Sequence, residues 1–469
     1  MRIQILARSL LAAAFLLAAV HAFSAEPAGP KKLEVNYTEF TLANGLNVIL
    51  HEDHTVPSVC VDVWYHVGSA REKPGRTGFA HLFEHIMFEG SKNVKEGEFD
   101  KLLEAAGGDN NGSTAEDRTD YWETVPSRSL ELALFVESDR MGYLLDVMSP
   151  ARVDQQRDVV KNERRQSYEN RPYGQASLKL SEALFAPNHP YHWPVIGSME
   201  DLSAAGFEDV VGFFKSYYGP NNAGLVVAGD IDPKEARRLV EKWFSEIPRG
   251  ARVDPIAAPP AVLGEEKRIT LEDRVQLPRL YMAWITPSQF HPGDAALDVL
   301  AGVLASGKNS RLYRRLVYDL QVAQDVSAVQ QSQQLASIFL ITVTAREGHT
   351  LSEIETLVEE EISGLQNAPP ATREVERAVN QFEAAFYHAM ERVGGFGGKA
   401  DQLNAYAFAA GRPDYYNEDR ARYLSLDARD IQSTARRYLP EDARIILSVV
   451  PAGKTDLAAR APAAKETER

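Results

Sequence analysis

The chain has 469 residues, 44% of them hydrophobic and 25% charged, with a formal net charge of −15. That composition is globular, and the length is enough for two or three domains of ordinary size. The acidic balance argues against nucleic acid, which favours basic patches. Cys60 is the single cysteine, so no intrachain disulfide can form and stability must come from core burial.

Arg2 and Arg8 precede an apolar run over residues 10–20, and small residues follow, with cleavage points after Ala22 or Ala25. Residues 1–25 read as a secretory signal peptide. The apolar run is too short for a good spanning helix, and no cysteine stands at the cleavage site to carry a lipid. The mature chain is therefore expected in the periplasm, with no membrane attachment after signal removal.

Residues 38–51 alternate around Asn44-Gly45, a hairpin turn pair. A strand over 59–67 follows, then a helix around His81, then a helix over 99–106 ended by Gly107-Gly108. Residues 111–125 read as extended, 127–147, 150–170 and 203–218 as helical, and 223–228 as a strand. Asp232-Pro233 starts a helix that runs to about 246. Residues 248–264 are rich in Pro, Gly and Ala and read as a linker. The second half repeats the first. Strands at 267–273 and 279–286 precede a helix over 294–305. Strands at 323–331 and 337–346, helices from 350 to 438 and a strand at 444–450 complete it. Residues 453–469 read as a disordered tail. The segment starting at Tyr218-Gly-Pro-Asn-Asn-Ala resembles that starting at Tyr438-Leu-Pro-Glu-Asp-Ala, and Lys92-Asn93 matches Lys308-Asn309. The chain thus reads as a duplicated α+β domain, residues 34–247 and 265–452.

Chemistry concentrates in His81-Leu82-Phe83-Glu84-His85. On a helix, His81 and His85 lie on one face a turn apart and can share one zinc ion. Glu84 lies beside them and could take a proton from the attacking water. At the duplication offset given by Lys92 and Lys308, these positions become Leu297, Leu300 and Ala301, so the motif belongs to the first copy only. Two histidines leave a zinc site one protein ligand short.

His-x-x-Glu-His, followed by Glu163 in the run Val159-Val160-Lys161-Asn162-Glu163, resembles the pitrilysin family of zinc peptidases, which includes insulin-degrading enzyme and the mitochondrial processing peptidases. Residues 107–114, Asp117-Arg118-Thr119-Asp120-Tyr121 and His189-Pro190-Tyr191 also look like family features. The resemblance implies two homologous α/β-roll domains in tandem, each a mostly antiparallel sheet with helices on one face. It implies one Zn2+ per chain on His81, His85 and Glu163, with Glu84 as general base. It also implies that a peptide adds as a strand along Asn111, Gly112, Ser113 and Thr114. By residue type alone Glu116, Glu123 and Glu169 were equally available as third ligand. His189 and His192 are taken as structural.

Two positions depart from the family pattern. Gln156 stands where an acidic residue is often found. Val317 and Gln324 stand where active single-chain members carry an Arg and a Tyr that hold the substrate carbonyl. The expectation is a zinc endopeptidase acting on peptides or unfolded segments, as the catalytic subunit of a heterodimer whose partner lacks the zinc motif and supplies the Arg and Tyr. The alternatives are a self-sufficient monomer or homodimer using Tyr313, Arg314 or Arg315, and a peptide-binding scaffold that does not cut.

Overall fold

A computed structural model describes residues 32–460; the signal peptide and the last part of the expected tail lie outside them. The first half opens on a hairpin, β1 (Thr38–Thr41) and β2 (Asn47–Glu52), turned at Gly45 with φ +96°. The Asn44 side chain donates from Nδ2 to the carbonyls of Phe244 and Ile247, at 2.8 and 2.9 Å, tying the turn to the end of the half. Next come β3 (Ser58–Tyr65), α1 (Phe79–Ile86) and α2 (Phe99–Ala106). The stretch expected as one extended segment is two strands, β4 (Asp109–Thr114) and β5 (Thr119–Pro126), with a turn between them. Helices α3 (Leu130–Tyr143), α4 (Pro150–Arg164), α5 (Gln175–Leu184), α6 (Met199–Ala204) and α7 (Phe207–Tyr217) follow, then β6 (Ala223–Gly229) and α8 (Pro233–Phe244). Asp232 caps α8 by accepting from the N–H groups of Lys234 and Glu235.

The second half contains β7 (Lys267–Asp273), β8 (Arg279–Thr286), α9 (Asp294–Ala305), β9 (Ala323–Gln331) and β10 (Ser337–Ala345). Five helices lead to the last strand: α10 (Leu351–Asn367), α11 (Thr372–Met390), α12 (Lys399–Ala409), α13 (Tyr416–Leu424) and α14 (Ala428–Tyr438), then β11 (Ile445–Pro451).

Strand order shows the duplication more plainly than the sequence does. The first sheet runs β1-β2-β6-β3-β5-β4 and the second β7-β11-β8-β10-β9. Without the β1 hairpin arm the two orders are the same, and in each the one parallel pair among the described residues joins the first strand to the last, β2 with β6 and β7 with β11. Alternation along β3 sends Val59, Val61, Val63 and Tyr65 under Leu82, Phe83 and Ile86 of α1. Each fully buried side chain of this kind contributes roughly 1.5–3 kcal/mol.

Helices are not confined to one face of each sheet. The opposite face of each sheet is covered by a helix from the other half. Ala176, Leu180 and Leu184 of α5 pack with Tyr281, Ala283, Ile445 and Leu447 of the second sheet. Reciprocally, α12 lies on the first sheet, where Asn404 donates from Nδ2 to the Asp62 carbonyl at 3.1 Å and Trp64 donates from Nε1 to Asp401 at 2.9 Å. Each half completes the burial of the other.

The chain does not leave the fold at 453. Ala458 and Ala459 are buried in the second core, and the Ala459 N–H donates to Ser448 Oγ at 3.0 Å. Small side chains that fill a groove beside β11 explain why an Ala-rich segment is held here.

Candidate metal centre

Helix α1 begins at Gly78, whose φ is +88°, against Gly197, whose φ is +71°. The two glycines touch back to back: a Cβ on Gly197 would stand 2.5 Å from Gly78 Cα. Neither position tolerates a side chain, so the loop around Gly197 sits hard against the start of the helix. Buried Glu72 caps that start, accepting the Gly78 N–H on one carboxylate oxygen at 2.9 Å and the Ala80 N–H on the other at 2.8 Å. Burial pushes its carboxyl up to about 8, opposed by those backbone donors.

On α4, Val153, Gln156 and Val160 are the buried residues of an otherwise charged helix. Their spacing continues to Glu163, so its carboxylate projects from the packed face toward α1. The next residue, Arg164, donates from Nη1 to the Gly197 carbonyl. One loop therefore holds both the start of α1 and the end of α4. After Arg164 the helix widens into a π-turn over Arg165–Glu169, which interrupts the pattern expected to run unbroken to 170.

These elements bring His81, His85 and Glu163 together, with one ligand atom from each within 4.8 Å of the others. Glu163 Oε2 lies 3.2 Å from His85 Nε2 and 3.7 Å from His81 Nε2. Donors about 2.1 Å from a tetrahedral zinc lie roughly 3.4 Å apart, so the arrangement fits that ion. Burial lowers the proton affinity of His81, favouring the neutral imidazole that a metal requires. Glu163 is held below its usual range, first by its hydrogen bond with His85. His81 Nδ1 is buried with no hydrogen-bond partner among the described residues, so packing orients that ring.

Glu84 sits between this triad and the sheet. Its Oε2 accepts from Thr114 Oγ1 at 2.6 Å. Thr114 ends β4, the last strand of the sheet, whose outer edge carries no partner strand among the described residues. Gly112 shares the α1-facing side of β4 with Thr114, packed against Tyr121 and Phe88. Asn111 and Ser113 point the other way. The Asn111 side chain accepts its neighbour's backbone N–H at 2.8 Å, and the Ser113 hydroxyl donates to Asp120 at 2.6 Å. Two of the three other carboxylates open as third ligand are engaged elsewhere, Glu123 with buried Arg140 at 2.8 Å and Glu169 with Arg164 at 3.4 Å, and Glu116 is not part of the group that converges with His81 and His85. His189 and His192 do not join the triad; His189 Nδ1 accepts the Tyr191 N–H at 3.1 Å.

Several site-forming residues were not singled out from sequence: Glu72, Gly78, Gly197 and Arg164. The motif Asp117-Arg118-Thr119-Asp120-Tyr121 gains a physical meaning. Asp117 accepts the Tyr191 hydroxyl at 2.7 Å and the Gln334 N–H at 3.0 Å, fastening the β9–β10 turn of the second half. Arg118 donates to the Ser113 carbonyl at 2.9 Å and braces β4.

Residues 47–190 match the insulinase family (peptidase family M16), and residues 205–382 match the peptidase M16 inactive domain. The zinc protease PqqE of Helicobacter pylori is 28% identical over 411 residues, spanning 86% of this chain and 90% of that protein. An uncharacterized zinc protease of Mycobacterium tuberculosis is 31% identical over 297 residues, spanning 61% of this chain and 67% of that one. The crystal structure of a Helicobacter pylori protease superposes with a TM-score of 0.81 at 26% identity, covering 89% of this chain and all of that one. The periplasmic protease PqqL of Escherichia coli shares the fold at a TM-score of 0.75 and 19% identity, with 92% of this chain covering 50% of that one. The chain is a member of peptidase family M16, the pitrilysin-type zinc metallopeptidases, with the duplicated two-domain fold of that family.

Proposed function

We propose that this chain is a periplasmic zinc endopeptidase that hydrolyses peptides or unfolded segments, and that it is the metal-bearing subunit of a two-chain enzyme. The observation that carries the reading is the convergence of Glu84, two imidazoles and Glu163 at the end of a free edge strand. His81, His85 and Glu163 would hold one zinc ion. Bound there, zinc would supply Lewis acidity, making water a better nucleophile and polarising a peptide carbonyl. Glu84 takes the proton of the attacking water and passes it to the leaving amine. The Thr114 hydroxyl holds the Glu84 carboxylate in place while β4 pairs with the extended substrate. Backbone pairing along 111–114 gives affinity with little sequence choice. The periplasmic assignment rests on the signal-peptide pattern of residues 1–25, and the structural relative from Escherichia coli carries that word in its own name.

The two-chain arrangement rests on residue types in the second half. Val317 packs against the second core and Gln324 lies exposed at the start of β9. Val317 has no donor at all and Gln324 offers only a neutral amide in place of the phenol, and a missing oxyanion donor costs about a hundredfold or more in rate. Arg315, a possible substitute, is held by Glu360 and Glu361. The test is co-purification from the native source, then assay of unstructured peptides by the purified chain alone and with a homologous partner that lacks His-x-x-Glu-His. The expected result is a rate at least a hundredfold higher for the pair, with one zinc per metal-bearing chain. Full activity in the isolated chain would overturn the two-chain arrangement, and a zinc-free chain would overturn the enzyme.

A further inference from the structure

The face of the first sheet turned away from His81 and Glu84 carries a second acidic group. Asp62 on β3, Asp120 on β5 and Asp401 in the first turn of α12 bring one carboxylate oxygen each to within 4.8 Å of the others. Asp62 and Asp120 have no solvent exposure. Part of this charge is answered. Asn404 Nδ2 donates to Asp62 Oδ1 at 2.6 Å, and Ser113 Oγ donates to Asp120 Oδ1 at 2.6 Å. Trp64 Nε1 and the Gly397 N–H donate to the two oxygens of Asp401, at 2.9 and 2.5 Å. Arg118 ion-pairs with Asp120 at 2.5 Å.

Part of it is not. Asp62 Oδ2 and Asp120 Oδ2 are buried and accept no hydrogen bond among the described residues. Three carboxylates face one paired guanidinium, an excess of about two negative charges in a buried site. Burial raises the carboxyls of Asp62 and Asp401 above the usual range and that of Asp120 to about 6. Orphaned carboxylate oxygens at such a place call for a cation or for protons.

We propose that Asp62, Asp120 and Asp401 form a calcium-type divalent-cation site that fastens the two halves together behind the β4 edge strand. All donors are carboxylate oxygens, a hard set that suits Ca2+ or Mg2+ rather than zinc. Mg2+ demands near-ideal octahedral geometry and gives up its water reluctantly, whereas Ca2+ accepts irregular sets of carboxylate oxygens, so a buried group held by its own packing favours Ca2+. Partly exposed Asp401 gives the ion a way in, with water completing the shell. The cation ties α12 of the second half to the first sheet. Through Asp120 and the Ser113 hydroxyl it also stiffens β4.

The test uses the full chain as purified, desalted into divalent-free buffer. CaCl2 and MgCl2 are titrated by calorimetry, and thermal unfolding is followed with each. One calcium per chain is expected, with a rise in Tm of several degrees and magnesium at least tenfold weaker. Asp401→Asn, which keeps the side-chain volume, should lose at least tenfold in calcium affinity together with the Tm shift, and Asp62→Asn should do the same. Glu163→Gln should keep both, which separates this site from the zinc triad. The proposal is overturned if neither cation binds, or if the shift survives in Asp401→Asn. It is equally overturned if Asp401→Asn melts at or above the wild-type temperature with no cation dependence in either protein, the signature of a shared proton.

Discussion

Helices α1 and α9 occupy the same place in the two copies of the fold, and their surfaces differ. Helix α1 packs Phe79, Ala80, Leu82, Phe83 and Ile86 inward and leaves His81, Glu84 and His85 partly open toward α4. Helix α9 is apolar almost all round, with Leu297, Leu300 and Ala301 buried where the motif residues would stand. Its outer side is closed by α11, where a Cβ on Gly302 would come within 2.9 Å of Ala378 Cβ. The sheet beneath is built the same way in both. So the architecture needs no metal at this position, and an apolar helix fills it equally well. The polar residues of α1 are an addition to a fold that stands without them, as expected for groups kept for chemistry.

The most direct way to break the contrast is to give α1 the residue of its counterpart. His81→Leu copies Leu297. Zinc content should fall to the background of the assay and peptide hydrolysis with it. The metal-free variant should melt no lower than the metal-free wild type, because a buried imidazole is replaced by an apolar side chain. A variant that lost several degrees against the metal-free wild type would mean that His81 serves the fold. A gentler change is Glu84→Gln, at the position matching Leu300. It spares His81, His85 and Glu163, so zinc should stay at wild-type content while kcat drops about 10²–10⁴-fold. Equal loss of zinc and activity would move Glu84 from proton transfer to metal binding.

The same contrast explains what could be read from the sequence. Strands and the first-turn signals of helices were legible because they are local: alternation in β3, Asn44-Gly45 in the hairpin, Asp232-Pro233 at α8. Glu163 was reached through a family resemblance, yet a local signal existed. Val153, Gln156, Val160 and Glu163 follow one helical face, and Glu169 falls at the end of the π-turn that breaks it. The reciprocal covering of the sheets by α5 and α12 was not legible, since it depends on contacts between segments more than a hundred residues apart. Gly197 as the seat of α1 was hidden for the same reason, while Glu72 caps α1 from six residues before Gly78, outside the usual capping position. An Ala-rich terminus looked like a free tail because small residues carry little pattern, although Ala458 and Ala459 fill a groove.

The finest test sharpens the link between α1 and the strand beside it. Thr114 combines a backbone in the edge strand with a hydroxyl on Glu84, so it can be altered on one side alone. Thr114→Val keeps the β-branched shape and the strand pairing but removes the 2.6 Å hydrogen bond. A hydrogen bond to a carboxylate contributes about 1.5 kcal/mol or somewhat more, which corresponds to roughly a tenfold fall in kcat if it orients Glu84. KM and zinc content should hold, because the backbone edge and the three ligands are untouched. Thr114→Ser should restore most of the rate, since the hydroxyl returns. A rise in KM shared by both variants would instead show that Thr114 acts through its shape in the strand, and the positioning of Glu84 would then rest on the helix alone.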